Sequence, residues 1–168
     1  MGRGYRDTPQ DLLRKKCSPA RDDGPPSPAA AEGIRLEPEA RDHYARHVGI
    51  HVRPVCLQSR LHPWLRASLD GLSLDGTRAV EIKCGARAYE HAEEHGELPG
   101  YYYDQLQHTL AVTGLQTIDI WCYWPDYGDP LWLSEERNDD HITLLLEEEH
   151  RFWQRVQRAR GGSAARGG

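Results

Sequence analysis

The sequence predicts an α/β fold with a central mixed β-sheet flanked by helices, and two observations carry that expectation. Segments with helical spacing give way to segments with two-residue alternation, in the order helix, three or four strands, helix, strand, helix. The chain has 168 residues, which suits one domain with a modest core.

Taken in order, residues 5–16 read as a short helix, with Thr8 as N-cap and Pro9 in the first turn. Residues 17–31 are rich in Pro, Ala, Ser and Asp and read as a loop. A helix is expected from about Ala31 to His47, with Glu37, Ala40, Tyr44 and Val48 on one face and Gly49 ending it. A strand follows around His51–Leu57. Next comes a hairpin of Leu65–Ser68 and Ala79–Cys84, turned through Asp75-Gly76. Residues 86–99 read as a loop or partly helical. A helix covers Tyr101 to Val112, and a strand covers Thr117 to Trp124, broken by Pro125-Asp126. Asp139 to about Arg158 reads as a strand end plus a long helix. The division expected is 1–32 as N-terminal helix and linker, 33–157 as core, and 158–168 as a disordered basic and glycine-rich tail.

Charged residues make up 28% of the chain and hydrophobic residues 38%, with no apolar run near the ~20 that cross a bilayer. The start, Met1 to Arg6, lacks the apolar stretch of a secretory signal, which predicts a cytoplasmic protein without membrane attachment. A net charge of −5 excludes a globally basic nucleic-acid binder, so any DNA-binding surface must be local. The cysteines at 17, 56, 84 and 122 form no Cys-x-x-Cys pair and read as reduced thiols, with a four-cysteine metal or iron–sulfur site as the alternative.

The sharpest motif is Asp70 followed by Glu81-Ile82-Lys83. On a strand, Glu81 and Lys83 share a face while Ile82 points to the core. A hairpin turning at Asp75-Gly76 returns Asp70 to Glu81. Two carboxylates there suit Mg²⁺ or Mn²⁺, and the lysine can orient a water or stabilise charge on a phosphate. The bland reading is an exposed Glu/Lys pair on a half-buried strand, and spacing alone does not decide. Glu37 is a carboxylate on an apolar helix stripe, and it either awaits a metal, lies at the rim of that stripe or pairs with Arg41. Tyr102 and Gln105 share a helix face. Gln105 can touch a phosphate or a metal water, or both residues can be ordinary packing and surface groups.

Five segments in order resemble the YqaJ-type viral recombinase, phage lambda exonuclease-like family of the PD-(D/E)XK nuclease superfamily. They are Thr8-Pro9-x-x-Leu12-x-x-x-Lys16, Gly33-x-x-x-Glu37-x-x-Ala40-Arg41, Ala67-Ser68-x-Asp70-Gly71, Val80-Glu81-Ile82-Lys83-Cys84 and Tyr102-x-x-Gln105-x-Gln107. The resemblance covers about residues 8–157 and implies a restriction-endonuclease-like core. It implies Asp70, Glu81 and the Ile82 carbonyl as metal ligands and Lys83 as the catalytic lysine. Glu37 would serve metal-bound waters or a second metal, Gln105 the metal water or the scissile phosphate, and Ser68 and Tyr102 the substrate. The activity implied is a Mg²⁺-dependent 5′–3′ exonuclease on double-stranded DNA in phage-type recombination. A single-strand annealing protein and a homotrimer are the partners that go with it. An endonuclease of restriction or defence, and a prophage remnant that binds without cutting, are the competing classes.

Three departures stand out. Leu69 replaces the proline usual before the aspartate, and Gly85 replaces a proline after Lys-Cys. The family's arginine and small-residue segment before the Thr-Pro helix has only Arg3 and Arg6 near its place. That implies a truncated N-terminus or a different recognition of the 5′ end. The basic run Arg151, Arg155, Arg158, Arg160 and Arg166 reads as a solvated helix end or as phosphate contacts.

Overall fold

A computed structural model describes residues 26–164. Residues 26–138 form one compact unit, and the last helix belongs to a second. The helix expected over 5–16 and Cys17 lie outside the described residues.

Helix α1 spans Pro28–Val48 and starts three residues before the expected point. The Ser27 hydroxyl accepts the Ala30 N–H at 3.3 Å, and Pro28 takes the first turn, where no N–H is needed. Pro38 sits inside the helix, opposite the buried side formed by Leu36, Ala40 and Tyr44. Gly49 closes it at φ 69°, as its position in the sequence predicts.

Five strands follow in the spatial order of their sequence: β1 (Val52–Gln58), β2 (Arg66–Ser73), β3 (Ala79–Cys84), β4 (Thr117–Tyr123) and β5 (Leu131–Glu136). All neighbours are antiparallel except β3 and β4. A parallel pair needs a long crossover. Helix α2 (Ala86–His95), a short 3₁₀ turn at Gly100–Tyr102 and helix α3 (Tyr103–Thr113) supply it.

Helix α1 covers one sheet face. Its Leu36, Ala40 and Tyr44 meet Val52, Val80, Ile82, Trp121 and Tyr123. Each such aliphatic side chain contributes roughly 1.5–3 kcal/mol by leaving water. Asp119 is buried among them, accepts the Tyr44 hydroxyl at 2.5 Å and pairs with Arg78 at 3.4 Å, so its charge is compensated. Helix α3 lies against β2 and β4 with Leu106 and Leu110 buried. Buried Gln107 donates to the Glu136 carbonyl at 2.7 Å and accepts the Asn138 N–H at 2.9 Å, tying α3 to the end of β5.

The β2–β3 turn is held by Asp75. One carboxylate oxygen accepts from the Ser73 hydroxyl at 2.6 Å, the Thr77 N–H at 3.1 Å and the Thr77 hydroxyl at 2.8 Å. The Ser73 hydroxyl, then Thr77, pull the Asp75 carboxyl down to about 2. Gly76 supplies the positive φ of 73°.

Three expectations need correction. Strand β2 does not stop at Ser68 but runs through Asp70 and Gly71 to Ser73. A Cβ on Gly71 would sit 2.6 Å from Val80 Cγ1, so the glycine admits close packing where strand propensity alone predicts a break. Strand β5 was not expected, because its Glu135 and Glu136 and its exposed Trp132 mask the alternation of an edge strand. The last helix, α4, begins at Asp139 with no strand end and runs to Ala164, past the tail boundary expected at 158. Asp139 and Asp140 in its first turn suit the helix dipole. Cys56, Cys84 and Cys122 are free thiols, as the spacing predicts. Among the described residues, no helix is long and apolar enough to cross a membrane.

Candidate active site

Strands β2 and β3 pair through Leu72–Ala79 and Gly71–Val80, and the ladder then ends. One step beyond stand Asp70 and Glu81. Here the Asp70 carboxylate replaces the backbone acceptor: its Oδ2 takes the Ile82 N–H at 2.8 Å. On its other side β3 stays paired with β4, Glu81 beside Ile120 and Lys83 beside Cys122. The strands therefore part at the two carboxylates while β3 remains anchored.

Glu81 is only 3% exposed. Its Oε1 accepts from Lys83 Nζ at 2.7 Å and from Gln105 Nε2 at 2.6 Å. Burial pushes the Glu81 carboxyl above the ordinary carboxylate range; Lys83 opposes that, and the Asp70 charge adds to it. The strand face expected for Glu81 and Lys83 is thus realised, with Ile82 turned into the α1 core.

Helix α1 reaches the same place from the opposite sheet face. Arg41 pairs with Glu37 and donates through Nε to the Asp70 carbonyl at 2.5 Å. The Glu37 carboxyl is raised by partial burial and then by Asp70, against the pull of Arg41. Burial, then the charges of Glu37 and Asp70, push the nearby Cys84 thiol up to about 12. Three carboxylates, Glu37, Asp70 and Glu81, thus face two cations, Arg41 and Lys83, and the local field is negative.

Tyr102 ends the 3₁₀ turn rather than sitting in α3, yet it still reaches β3. Lys83 Nζ lies 4.2 Å from its ring centroid. Burial, then the Tyr101 hydroxyl, push the Tyr102 phenol up to about 12, so it stays neutral. Ser68 stands two residues from Asp70 on the exposed alternation of β2, with its hydroxyl accepting from the Cys56 thiol at 3.6 Å.

The structure thus gathers Glu37, Asp70, Glu81, Lys83, Gln105 and Tyr102, and sets Ser68 along the same strand. The two glutamines separate: Gln105 serves Glu81, whereas Gln107 is structural. The sequence offered Arg41 as the partner of Glu37 through its i,i+4 spacing, and the structure confirms that pair. Its bond to the Asp70 carbonyl carries no local signal, because it joins residues 29 apart.

Among the described residues, no three His, Cys, Asp or Glu side chains close into a metal-binding group. Asp70 and Glu81 are the pair that could hold a metal. A hard divalent cation that keeps several waters fits such a pair, and Mg²⁺ behaves in this way. Positive charge placed there would relieve the raised carboxyls of Glu81 and Glu37.

A family model described as the YqaJ-like viral recombinase domain matches residues 3–116. The fold is similar to that of an alkaline exonuclease from Laribacter hongkongensis, at TM-score 0.80 and 25% identity, over 94% of this chain and 84% of that one. The same exonuclease in complex with dAMP gives TM-score 0.79 at 24% identity, over 94% and 82%. A phage related exonuclease from Haemophilus somnus 129PT shares the fold at TM-score 0.62 and 10% identity, over 94% and 81%. No curated protein matches the chain.

Proposed function

Because the chain belongs to the YqaJ-like viral recombinase domain family, we propose that it is a metal-dependent DNA nuclease, a 5′–3′ exonuclease on double-stranded DNA of phage-type recombination. The observation that carries this reading is the meeting of Asp70, Glu81, Lys83 and Gln105 where the β2–β3 ladder parts. Similarity to an alkaline exonuclease over most of both chains supports it.

In this reading Asp70, Glu81 and the Ile82 carbonyl hold Mg²⁺, for which Mn²⁺ substitutes, and Glu37 acts through water or a second ion. The bound ion would supply Lewis acidity and a more acidic water. The chain's own groups do the rest. Lys83 presents its ammonium, 2.7 Å from Glu81, to charge developing on the scissile phosphate. Gln105 fixes the Glu81 carboxylate from α3 and turns its remaining amide capacity to the phosphate or a water. Arg41 holds the Asp70 backbone and compensates Glu37. Ser68 and Tyr102 line the path of the strand. A single-strand annealing protein and a homotrimeric assembly complete the proposal.

The test is digestion of 5′-phosphorylated and 5′-hydroxyl linear duplexes beside closed circular DNA, with Mg²⁺ and, separately, with Mn²⁺. Metal-dependent release of mononucleotides from the linear duplexes alone is expected. Rapid nicking of the circle would replace the exonuclease with an endonuclease, and no cleavage with either metal would overturn the nuclease reading.

A further inference from the structure

Helix α2 carries a second set of groups suited to a metal, different in kind from the carboxylates of β2 and β3. His91 and His95 stand four residues apart at its C-terminal end, so both rings leave the same side of the helix. The ring centroids lie 4.3 Å apart, with the planes tilted by 26°. Glu94 places its Oε2 3.6 Å from His95 Nδ1. The His95 side chain is 44% exposed, so ions in solution reach the pair. The helix buries Ala88, Tyr89 and Ala92 instead, and neither histidine is fully covered.

Two imidazoles at i and i+4 are the arrangement by which one helix face offers two nitrogen ligands to a single ion. Three features around the pair favour a cation. Glu90, Glu93, Glu94 and Glu97 are its exposed neighbours in sequence. The helix ends at His95, where its dipole is negative. The Glu94 carboxylate beside Nδ1 leaves Nε2 of His95 for a ligand bond, and an outer carboxylate of this kind orients a ligating imidazole. Against them stands Arg87, one turn earlier on the same helix, with its guanidinium 5.6 Å from the centroid of the Tyr101 ring.

We propose that His91 and His95 form a two-imidazole site for a transition ion of the Zn²⁺, Ni²⁺ or Cu²⁺ class, with water completing the coordination. Two protein ligands are what the chain supplies here, since among the described residues no three His, Cys, Asp or Glu side chains close on one ion. Ligand type separates this site from Asp70 and Glu81: imidazole suits these ions, whereas paired carboxylates suit Mg²⁺. A bound ion links the last turn of α2 to the one before it. It thereby stabilises a helix of the crossover that runs from Lys83 to Gln105. The site stands independently of the nuclease reading.

The test is isothermal titration of the full chain with Ni²⁺, repeated in Asp70→Asn/Glu81→Gln, which removes the other carboxylate pair. Ni²⁺ is expected to bind the wild-type protein and this variant alike. His91→Gln and His95→Gln should each weaken binding by at least about 10-fold, with unchanged circular dichroism spectra, and Glu94→Gln by less than either. Rising Ni²⁺ should raise the Tm of the wild-type protein and leave that of His91→Gln/His95→Gln unmoved. Wild-type affinity in either single histidine variant would overturn the paired site, as would a wild-type protein that does not bind Ni²⁺. Loss of binding in Asp70→Asn/Glu81→Gln, with both histidines in place, would assign the ion to the carboxylates and overturn the proposal while leaving the nuclease reading intact.

Discussion

The Asp70 carboxylate accepts the Ile82 N–H at 2.8 Å, so a side chain completes the hydrogen bonding of β3 where the β2 backbone has turned away. Asp70 therefore has a structural duty as well as the chemical one proposed for it, and substitutions can separate the two.

Asp70→Asn keeps an acceptor oxygen for Ile82 but loses the charge. It should retain wild-type thermal stability while nuclease activity falls by at least about 100-fold. Asp70→Ala also orphans the Ile82 N–H and should lose a further ~1–3 kcal/mol in denaturant melts. Equal stability of the Asn and Ala proteins would remove the structural duty.

Lys83→Met preserves the length of the side chain on the Tyr102 ring and removes its charge. Activity should drop by two orders of magnitude or more, roughly the effect of losing one charge-stabilising donor, with the circular dichroism spectrum unchanged. Full activity in this protein would sink the site.

Glu81 gives a pH prediction. Its carboxyl is raised in the folded state, so the folded chain holds that proton more tightly than the unfolded one. Stability should fall as pH climbs from the ordinary carboxylate value through the raised one, and stay lower beyond it. Glu81→Gln should remove this fall. Mg²⁺ should raise the Tm of the wild-type protein on the alkaline side and leave that of Glu81→Gln unmoved. Activity should likewise lose its acidic limb above the ordinary range, as Glu81 and Glu37 take up protons.

Arg41→Ala leaves Glu37 without its partner and frees the Asp70 carbonyl. The pair is partly exposed, with side-chain accessibilities of 13% and 35%, so screening limits the loss. We expect about 1–2 kcal/mol in denaturant melts, and partial recovery in Glu37→Gln/Arg41→Ala, where the stranded charge is gone.

Gly71→Ala places a methyl group 2.6 Å from Val80 Cγ1 and 3.0 Å from Val52 Cγ2. The strands must separate there, and overpacking of this kind costs about 1–3 kcal/mol. Because Asp70 is the adjacent residue, activity should fall together with Tm.

Much of this was legible in the sequence. Gly49 and Gly114 closed their helices as their positions implied, with φ of 69° and 75°. The alternation Val80-Glu81-Ile82-Lys83 placed core and chemistry on opposite faces of β3. What stayed hidden has a common cause. Strand β2 runs through Asp70-Gly71, residues that local propensity reads as a turn, because Val80 and Val52 need the space beside the glycine. Strand β5 draws its stability from pairing with β4, which six residues ending in Glu135-Glu136 do not announce. The Lys83–Tyr102 and Arg87–Tyr101 contacts depend on where the crossover lays its 3₁₀ turn, a tertiary outcome.

The turn at Asp75 also bears on the order of folding. Only ten residues separate Asp70 from Glu81, so bringing them together closes a short loop at little entropic cost. Such hairpins form within about 1–10 μs, and the Asp75 network needs no distant partner. Closure of this hairpin needs neither α1 nor α3, whereas Arg41 and Gln105 reach the carboxylates from elements distant in sequence. In the nascent hairpin Lys83, which belongs to the same strand as Glu81, relieves the carboxylates' mutual repulsion only in part.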